Sequence, residues 1–368
     1  MSIVNIDSLT KYVNDLSGEN TVTVNQQITT IIHRIDLSGN DLATNYIIET
    51  LQRTGLTVED DQYNALGRNV IAVQAGTDHP EIFYMICAHY DAIPNHGADD
   101  NASGTAAVLE AARILSNYEF PYSIIYALWD QEEIGLIGSR DWAKNARDEN
   151  VIINGVINLD MIAYNKTANN RFDIFTSNHA NSLNLAQYSN NFCSVYGLSL
   201  SPVVFNSSSA SDQMAFWEKD YSAVLLIEPT DDGLFNPYYH TNLDRIDKFN
   251  MGFFHEMSKL GLGAIASLAT GEQITATDEF EKQNLFELTI YPNPVKDKGF
   301  IKLSLSTPSL IKIDILSITG VTIKTVTDER LISGDYIFNI PDNLTPGFYL
   351  VRIQTDFGFQ YKKLIITN

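Results

Sequence analysis

The sequence predicts a three-layer α/β sandwich with a mostly parallel central sheet, followed by a small antiparallel β-sandwich. Three observations carry this. Apolar, β-branched runs of strand length alternate with helical patterns up to residue 269, as repeated βαβ units do. From residue 285 the pattern becomes short strands of period two with turn residues between them, the pattern of an antiparallel sandwich. The charge changes at the same place: nine Lys and Arg stand against eight Asp and Glu from Leu285 onward, about +1, so of the net charge of -21 about -22 falls on the residues before it. Residues 270–284 follow neither pattern and read as a linker between domains at 1–269 and 285–368.

The first 68 residues read as helical, with apolar residues at spacings of three and four over Ile28 to Ile35 and Leu42 to Leu51, and Gly55 closing the second helix. Asn69 to Ala75 is a short strand, and Gly76-Thr-Asp-His-Pro turns the chain into the strand Glu81 to Ala88, so these two are expected to pair as a hairpin. An alanine-rich helix follows from Ser103, with that serine placed to cap it. Tyr122 to Trp129 is a strand, Ile134 to Lys144 a helix, and Val151 to Asp160 a strand. Arg171 to Thr176 (strand), Leu183 to Tyr196 (helix), Ala223 to Glu228 (last strand) and Met251 to Leu268 (long amphipathic helix) complete the domain. The second domain shows strands near Phe300–Leu305, Ile311–Leu316, Thr322–Val326, Tyr336–Ile340, Phe348–Ile353 and Tyr361–Ile366.

Several classes of function drop out. A nucleic-acid partner calls for a basic stripe, which a net charge of -21 opposes. No apolar run approaches the roughly 20 residues of a membrane span. Cys87 and Cys193 are too few for a disulfide framework, and Cys87 sits in a strand as a buried thiol. The chain opens Met-Ser-Ile-Val-Asn-Ile-Asp, without the basic start and apolar core of a signal peptide.

Chemistry concentrates where strands end. His89-Tyr-Asp91 closes one strand and leads to Gly97-Ala-Asp-Asp100-Asn-Ala-Ser-Gly; Asp130-Gln-Glu132-Glu133 closes the next; Asp160 closes a third; and Tyr238-Tyr239-His240 lies in a loop after the last. Ligands of open α/β sheets bind at such carboxyl ends. Carboxylates gathered there repel one another unless a cation joins them, and two His with several Asp and Glu suit zinc. Two Zn²⁺ would offset three ligand carboxylates and a bridging hydroxide.

Four motifs, His-Tyr-Asp with Gly-Ala-Asp-Asp-Asn-Ala-Ser-Gly, Trp-Asp-Gln-Glu-Glu-Ile-Gly-Leu-Ile-Gly-Ser, Asn-Leu-Asp-Met-Ile and Tyr-His-Thr with a later Asp, resemble the co-catalytic dizinc exopeptidases. That family includes the bacterial secreted leucine aminopeptidases, with glutamate carboxypeptidase and glutaminyl cyclase as relatives. The resemblance spans roughly residues 25 to 268 and implies a zinc exopeptidase fold. Carried over position by position, it makes His89 and Asp160 ligands of one zinc, Glu133 and His240 ligands of the other, and Asp100 a bridge followed by a cis peptide. It implies that Asp91 orients His89, that Glu132 is the general base for a metal-bridged hydroxide, and that Tyr239 steadies the oxyanion. Spacing alone does not choose between Glu132 and Glu133 as base. The chain departs from the family at Ala210-Ser211-Asp212-Gln213, where Ser-Asp-His is common, and at Arg245, where Thr is common. Asp99 reads as a turn residue, and His33, His79, His96, His179 and His255 as surface or loop residues.

The expected activity is therefore an aminopeptidase acting on N-terminal residues of peptides. The alternatives are a carboxypeptidase, for which Arg245 or Lys166 would have to meet the substrate carboxylate, a single-zinc glutaminyl cyclase, and an inactive binding scaffold. Leu288-Thr-Ile-Tyr-Pro-Asn-Pro, Pro346-Gly-Phe-Tyr-Leu-Val-Arg-Ile and Lys362-Lys-Leu-Ile-Ile resemble the C-terminal sorting domain of the type IX secretion system. This implies the type IX machinery as a partner and a secreted or cell-surface location, with the signal peptide not part of this stretch.

Overall fold

The computed structural model describes residues 3–35, 37–207, 210–231, 233–271, 286–296, 298–305, 308–317, 322–341, 343–355 and 358–367. The chain divides into two compact units, Met1–Thr275 and Ala276–Asn368.

The first unit carries, in chain order, α1 (Ile6–Leu16), the hairpin β1 (Val22–Val24) and β2 (Gln27–Thr29), α2 (Leu37–Gln52), β3 (Thr57–Gln62), β4 (Arg68–Gln74) and β5 (His79–His89). After a tight π-turn at Ala98–Ser103 come α3 (Gly104–Leu115), β6 (Tyr122–Trp129), α4 (Ile137–Asp148), β7 (Ile152–Leu159) and β8 (Arg171–Thr176). Then follow α5 (Ser182–Val195), β9 (Ser201–Asn206), α6 (Gln213–Trp217), β10 (Ala223–Ile227) and α7 (Met251–Thr270). Among the described residues one eight-stranded sheet runs β3-β4-β6-β5-β7-β10-β8-β9. Its middle, β6, β5, β7 and β10, is parallel, and β4 and β8 join antiparallel on either side.

The middle strands are mostly apolar because both faces are covered. Side chains of β5, β7 and β10 alternate between a large core shared with α1, α2, α3, α5 and α7 and a smaller one closed by α4 and α6. That alternation makes three layers. The long closing helix α7 starts where the Asn250 side chain accepts from Phe253 N at 3.1 Å, and it stops at Gly271, whose φ of +75° suits a residue without Cβ.

Four expectations need correction. The stretch Ile28 to Ile35 is not helical: its apolar residues do not share one buried face, with Ile28 81% exposed while Ile31 is fully buried. Thr57–Gln62 and Ser201–Asn206 are additional edge strands; the first is mostly polar and the second short, so neither shows a clear strand pattern. β4 and β5 do not form a hairpin, because β6 lies between them. The connecting turn is pinned to the entrance of β6, with Thr77 N donating to Phe120 O at 2.8 Å and His79 N to Pro121 O at 2.8 Å. Ser103 does not cap α3; its hydroxyl donates to Asp99 O, and Asn101 Oδ1 accepts from Gly104 N at 2.9 Å instead.

The strands of the second unit pair antiparallel. Strands β11 (Phe286–Tyr291), β12 (Phe300–Leu305) and β15 (Gly334–Asn339) form one sheet. Strands β13 (Ser309–Ser317), β14 (Thr322–Leu331), β16 (Gly347–Thr355) and β17 (Gly358–Ile366) form the other. Inward residues of both sheets, such as Leu303, Ile313 and Val351, share one core, as the period-two pattern predicts. The linker expected at 270–284 lies, from residue 272 on, outside the described residues; Thr270 still belongs to α7.

Candidate metal centre

The strand register gathers the acidic motifs. His89 at the end of β5 pairs with Trp129 at the end of β6, and Leu159 at the end of β7 pairs with Leu226 of β10. The residues just beyond these ends therefore meet in one crevice at the carboxyl edge. The π-turn between β5 and α3 brings Asp100 into it, with a cis peptide between Asp100 and Asn101. The loop after β10 brings His240.

Asp100 stands between the two histidines. His89 Nε2 lies 3.3 Å from Asp100 Oδ1 and 3.4 Å from Asp160 Oδ1. His240 Nε2 lies 3.2 Å from Asp100 Oδ2 and 2.9 Å from Glu133 Oε2. Each carboxylate oxygen of Asp100 thus faces a different imidazole. Glu132 completes a cluster of donor atoms with His89 and Asp160, and Asp100, Glu133 and His240 form a second.

Several of the remaining atoms of this set are tethered. His89 Nδ1 faces the Asp91 carbonyl at 3.2 Å and Asp91 Oδ1 at 3.3 Å, which places its proton on Nδ1 and leaves Nε2 as a donor pair. The Asp91 carboxylate also accepts from Glu132 N at 3.2 Å and Glu133 N at 3.1 Å, so one buried group orients the imidazole and the main chain of both glutamates. Glu133 Oε1 accepts from Ile93 N at 3.1 Å, which aims Oε2 at His240. Tyr239 stacks on the His240 ring at 3.7 Å between centroids and meets Phe235 edge-on at 5.2 Å.

The site has the electrostatics of a cation pocket. Burial pushes Glu132 up to about 10, with His89 opposing and Asp212, Asp160 and Asp91 adding to the rise. Burial and the neighbouring Asp100 carry Glu133 up to about 8. Burial works against protonated His89, yet Glu132 and Asp160 push its pKa well up. Hydrogen bonding to Asp100 raises His240. Asp100 would be raised by burial, but the two imidazoles hold it at about 2.

The donor set fits zinc. Donors of a tetrahedral Zn²⁺ with bonds near 2.0–2.1 Å stand about 3.3 Å apart, close to the separations above. Among the described residues, the buried oxygens Asp100 Oδ2 and Asp160 Oδ1 face His240 and His89 without closing a well-aligned hydrogen bond, as expected of atoms that can share an ion.

The sequence reading missed the supports beneath this set. Ser211 Oγ donates to Asp160 Oδ2 at 2.6 Å and accepts from Asn158 Nδ2 at 2.9 Å. Asp244 accepts from Asp99 N at 2.9 Å and from Asp100 N at 3.0 Å. The Asp99 carboxylate reaches away from its own turn, accepting from Ala163 N at 3.0 Å and Asn236 Nδ2 at 2.8 Å. His96 is no free surface residue: its Nδ1 meets Ser17 O at 2.8 Å and its Nε2 meets Arg245 Nη1 at 3.1 Å. Asp244 is the later Asp of the Tyr-His-Thr motif and Ser211 stands in the stretch that departs from the family, so their place was visible though their partners were not.

A crevice of paired histidines and carboxylates at the edge of the sheet in a three-layer domain is a metallohydrolase type of site. Residues 69–265 match Peptidase family M28, more than half of the chain, and the chain belongs to that family. Residues 289–367 match the secretion system C-terminal sorting domain. Aminopeptidase YwaD of Bacillus subtilis (strain 168) is 35% identical over 103 residues, 27% of this chain and 22% of that protein. The chain spans about a quarter of the length of the curated relatives it matches. The LapA aminopeptidase of Legionella pneumophila shares the fold with a TM-score of 0.61 at 20% identity, over 73% of each chain. The glutaminyl cyclase of Bacteroides thetaiotaomicron does so with a TM-score of 0.56 at 17% identity, over 73% of this chain and 99% of that one.

Proposed function

We propose that the protein is a secreted two-zinc aminopeptidase that hydrolyses N-terminal residues from peptides. The observation that carries this is the Asp100 carboxylate, which offers one oxygen to each of two histidine-centred donor sets. His89, Asp160 and Asp100 Oδ1 would hold one ion, and His240, Glu133 Oε2 and Asp100 Oδ2 the other. When bound, a zinc pair polarises a scissile carbonyl and brings the pKa of bound water toward neutrality.

The chain's own residues supply the rest. With three donors assigned to each ion, Glu132 is left over beside His89 and Asp160. Its carboxylate is the general base, taking the proton of the attacking water and passing it to the leaving amine. Asp91 holds both Glu132 and His89 in place for this. The Tyr239 hydroxyl, on a ring fixed against His240, donates to the developing oxyanion.

The alternatives have less support. A carboxypeptidase needs a cation free for the substrate carboxylate, but Arg245 is bound to Glu19 and contacts His96, and Lys166 sits over the Tyr164 ring. A single-zinc cyclase has no use for a second complete donor set at His89 and Asp160, and an inert scaffold has use for neither. The sorting-domain match supports delivery to the type IX secretion machinery.

The test is zinc content per chain, taken on the same sample as hydrolysis of free-amine and N-acetylated aminoacyl substrates. Two zinc ions with cleavage only of the free amine is the expected result. One zinc without peptide cleavage would favour the cyclase.

A further inference from the structure

Arg34 is fully buried and belongs to the N-terminal segment, ahead of the residues that match the family. A buried arginine ordinarily pairs with a carboxylate. Here its guanidinium, among the described residues, binds main chain. Nε donates to Tyr90 O at 2.5 Å, Nη1 to Leu16 O at 2.5 Å and His96 O at 2.6 Å, and Nη2 to Gly97 O at 2.8 Å. Tyr90 lies between His89 and Asp91, and Gly97 lies three residues before Asp100. One rigid fork therefore spans the loop that joins the first histidine to the bridging carboxylate.

A second observation points to the same span. Gly97 has φ +48°, and a Cβ there would stand 2.3 Å from Asp100 O, 2.4 Å from Ala92 Cβ and 3.0 Å from Arg34 Nη2. The loop is folded onto the guanidinium and the Asp100 carbonyl so closely that no side chain fits. The loop is also tied from outside, through His96 to Ser17 and Arg245. Burial lowers Arg34 to about 10, while Asp244, Asp91, Asp100 and Glu133 hold it up, so it stays a cation at neutral pH amid the carboxylates of the site.

We propose that Arg34 is a positioning residue of the metal centre: by binding the main chain at Tyr90 and at His96–Gly97, it sets the distance between His89 and Asp100. The N-terminal segment is then part of the site's scaffold. The proposal rests on the two-ion reading above. Lysine carries the same charge but lacks the planar fork that reaches several carbonyls at once.

The experiment uses the full chain as wild type, Arg34→Lys, Gly97→Ala and a distant core control, Leu185→Ala in α5. Each is loaded with Co²⁺ for its visible spectrum and with Zn²⁺ for affinity against a competing chelator, and the melting midpoint of each metal-free form is recorded. Arg34→Lys and Gly97→Ala should both change the cobalt spectrum and weaken metal binding about 10- to 100-fold. Leu185→Ala should lose thermal stability with an unchanged spectrum and affinity. If Arg34→Lys fails to fold, Gly97→Ala decides alone. Wild-type metal binding in Arg34→Lys or Gly97→Ala would overturn the proposal and leave the two-ion reading intact. A wild-type chain that takes up no pair of ions would take both down.

Discussion

Replacing Asp91 with Asn tests how much of the site depends on one buried carboxylate. Asp91 is fully buried and serves three groups: Glu132 N and His89 Nδ1 on one oxygen, and Glu133 N on the other. An amide can satisfy only one side. In its better orientation the amide oxygen keeps Glu132 N and His89, while the NH₂ group faces the N–H of Glu133. The change then loses one hydrogen bond to a charged acceptor, about 1.5–3 kcal/mol, and leaves a buried donor facing a donor. We expect about 2–4 kcal/mol in all, shared between the folded chain and the site. The part that reaches the site should lower zinc affinity about 10- to 100-fold, and loss of the negative charge behind His89 weakens the imidazole as a ligand. Competition with a chromophoric chelator measures the affinity, and melting of metal-free and zinc-loaded samples separates the two shares. Wild-type affinity together with a wild-type midpoint would refute the role given to Asp91.

Glu132→Gln should keep both zinc ions and lose about 10²- to 10⁴-fold in kcat; near-normal turnover would remove Glu132 as the base. Metal uptake at neutral pH should release protons, because His89 and His240 are both raised and Glu133 titrates at about 8 in the metal-free chain. Ligands bind metal only after losing those protons, so affinity should rise with pH. Calorimetry in buffers of different ionisation enthalpy reads the release, and an enthalpy independent of buffer would contradict it. Gly104→Ala would place a Cβ 2.4 Å from Leu159 O and 2.5 Å from Asn101 Oδ1, forcing apart the start of α3 and the end of β7. It should cost about 1–3 kcal/mol, each kcal/mol lowering the midpoint by roughly 2–4 °C in a unit of this size. An unshifted midpoint would show that the helix start can relax.

The central strands were legible because parallel strands buried on both faces are written as continuous apolar runs, and their bounds came out within a few residues. Thr57–Gln62 was not, since an edge strand with Glu59, Asp60 and Asp61 carries a polar pattern that a loop would share. Ile28 to Ile35 misled for the opposite reason: spacing at three and four without a buried stripe does not make a helix. The strand order was also out of reach. Local turn residues suggested that β4 returns beside β5, but β6 is seated between them by pairings of residues far apart in the chain, such as Ile86 with Tyr126 and Val70 with Leu128.

By itself the sequence determined where along the chain the candidate chemistry stands. An apolar run followed at once by His-X-Asp, Glu-Glu or Asp states both the strand and what stands at its end, and the resemblance of the motifs to a known family then made His89, Asp100, Glu133, Asp160 and His240 the candidate ligands without coordinates. Only the tertiary structure decided how they face one another: one oxygen of Asp100 toward each imidazole, Asp91 beneath both glutamates, and Asp244 held against the Asp99 amide from 145 positions away. Arg34 was invisible for the same reason. A lone arginine between His33 and Ile35 has no local pattern, and its partners at Leu16, Tyr90, His96 and Gly97 are brought to it only when separate segments pack around one buried guanidinium.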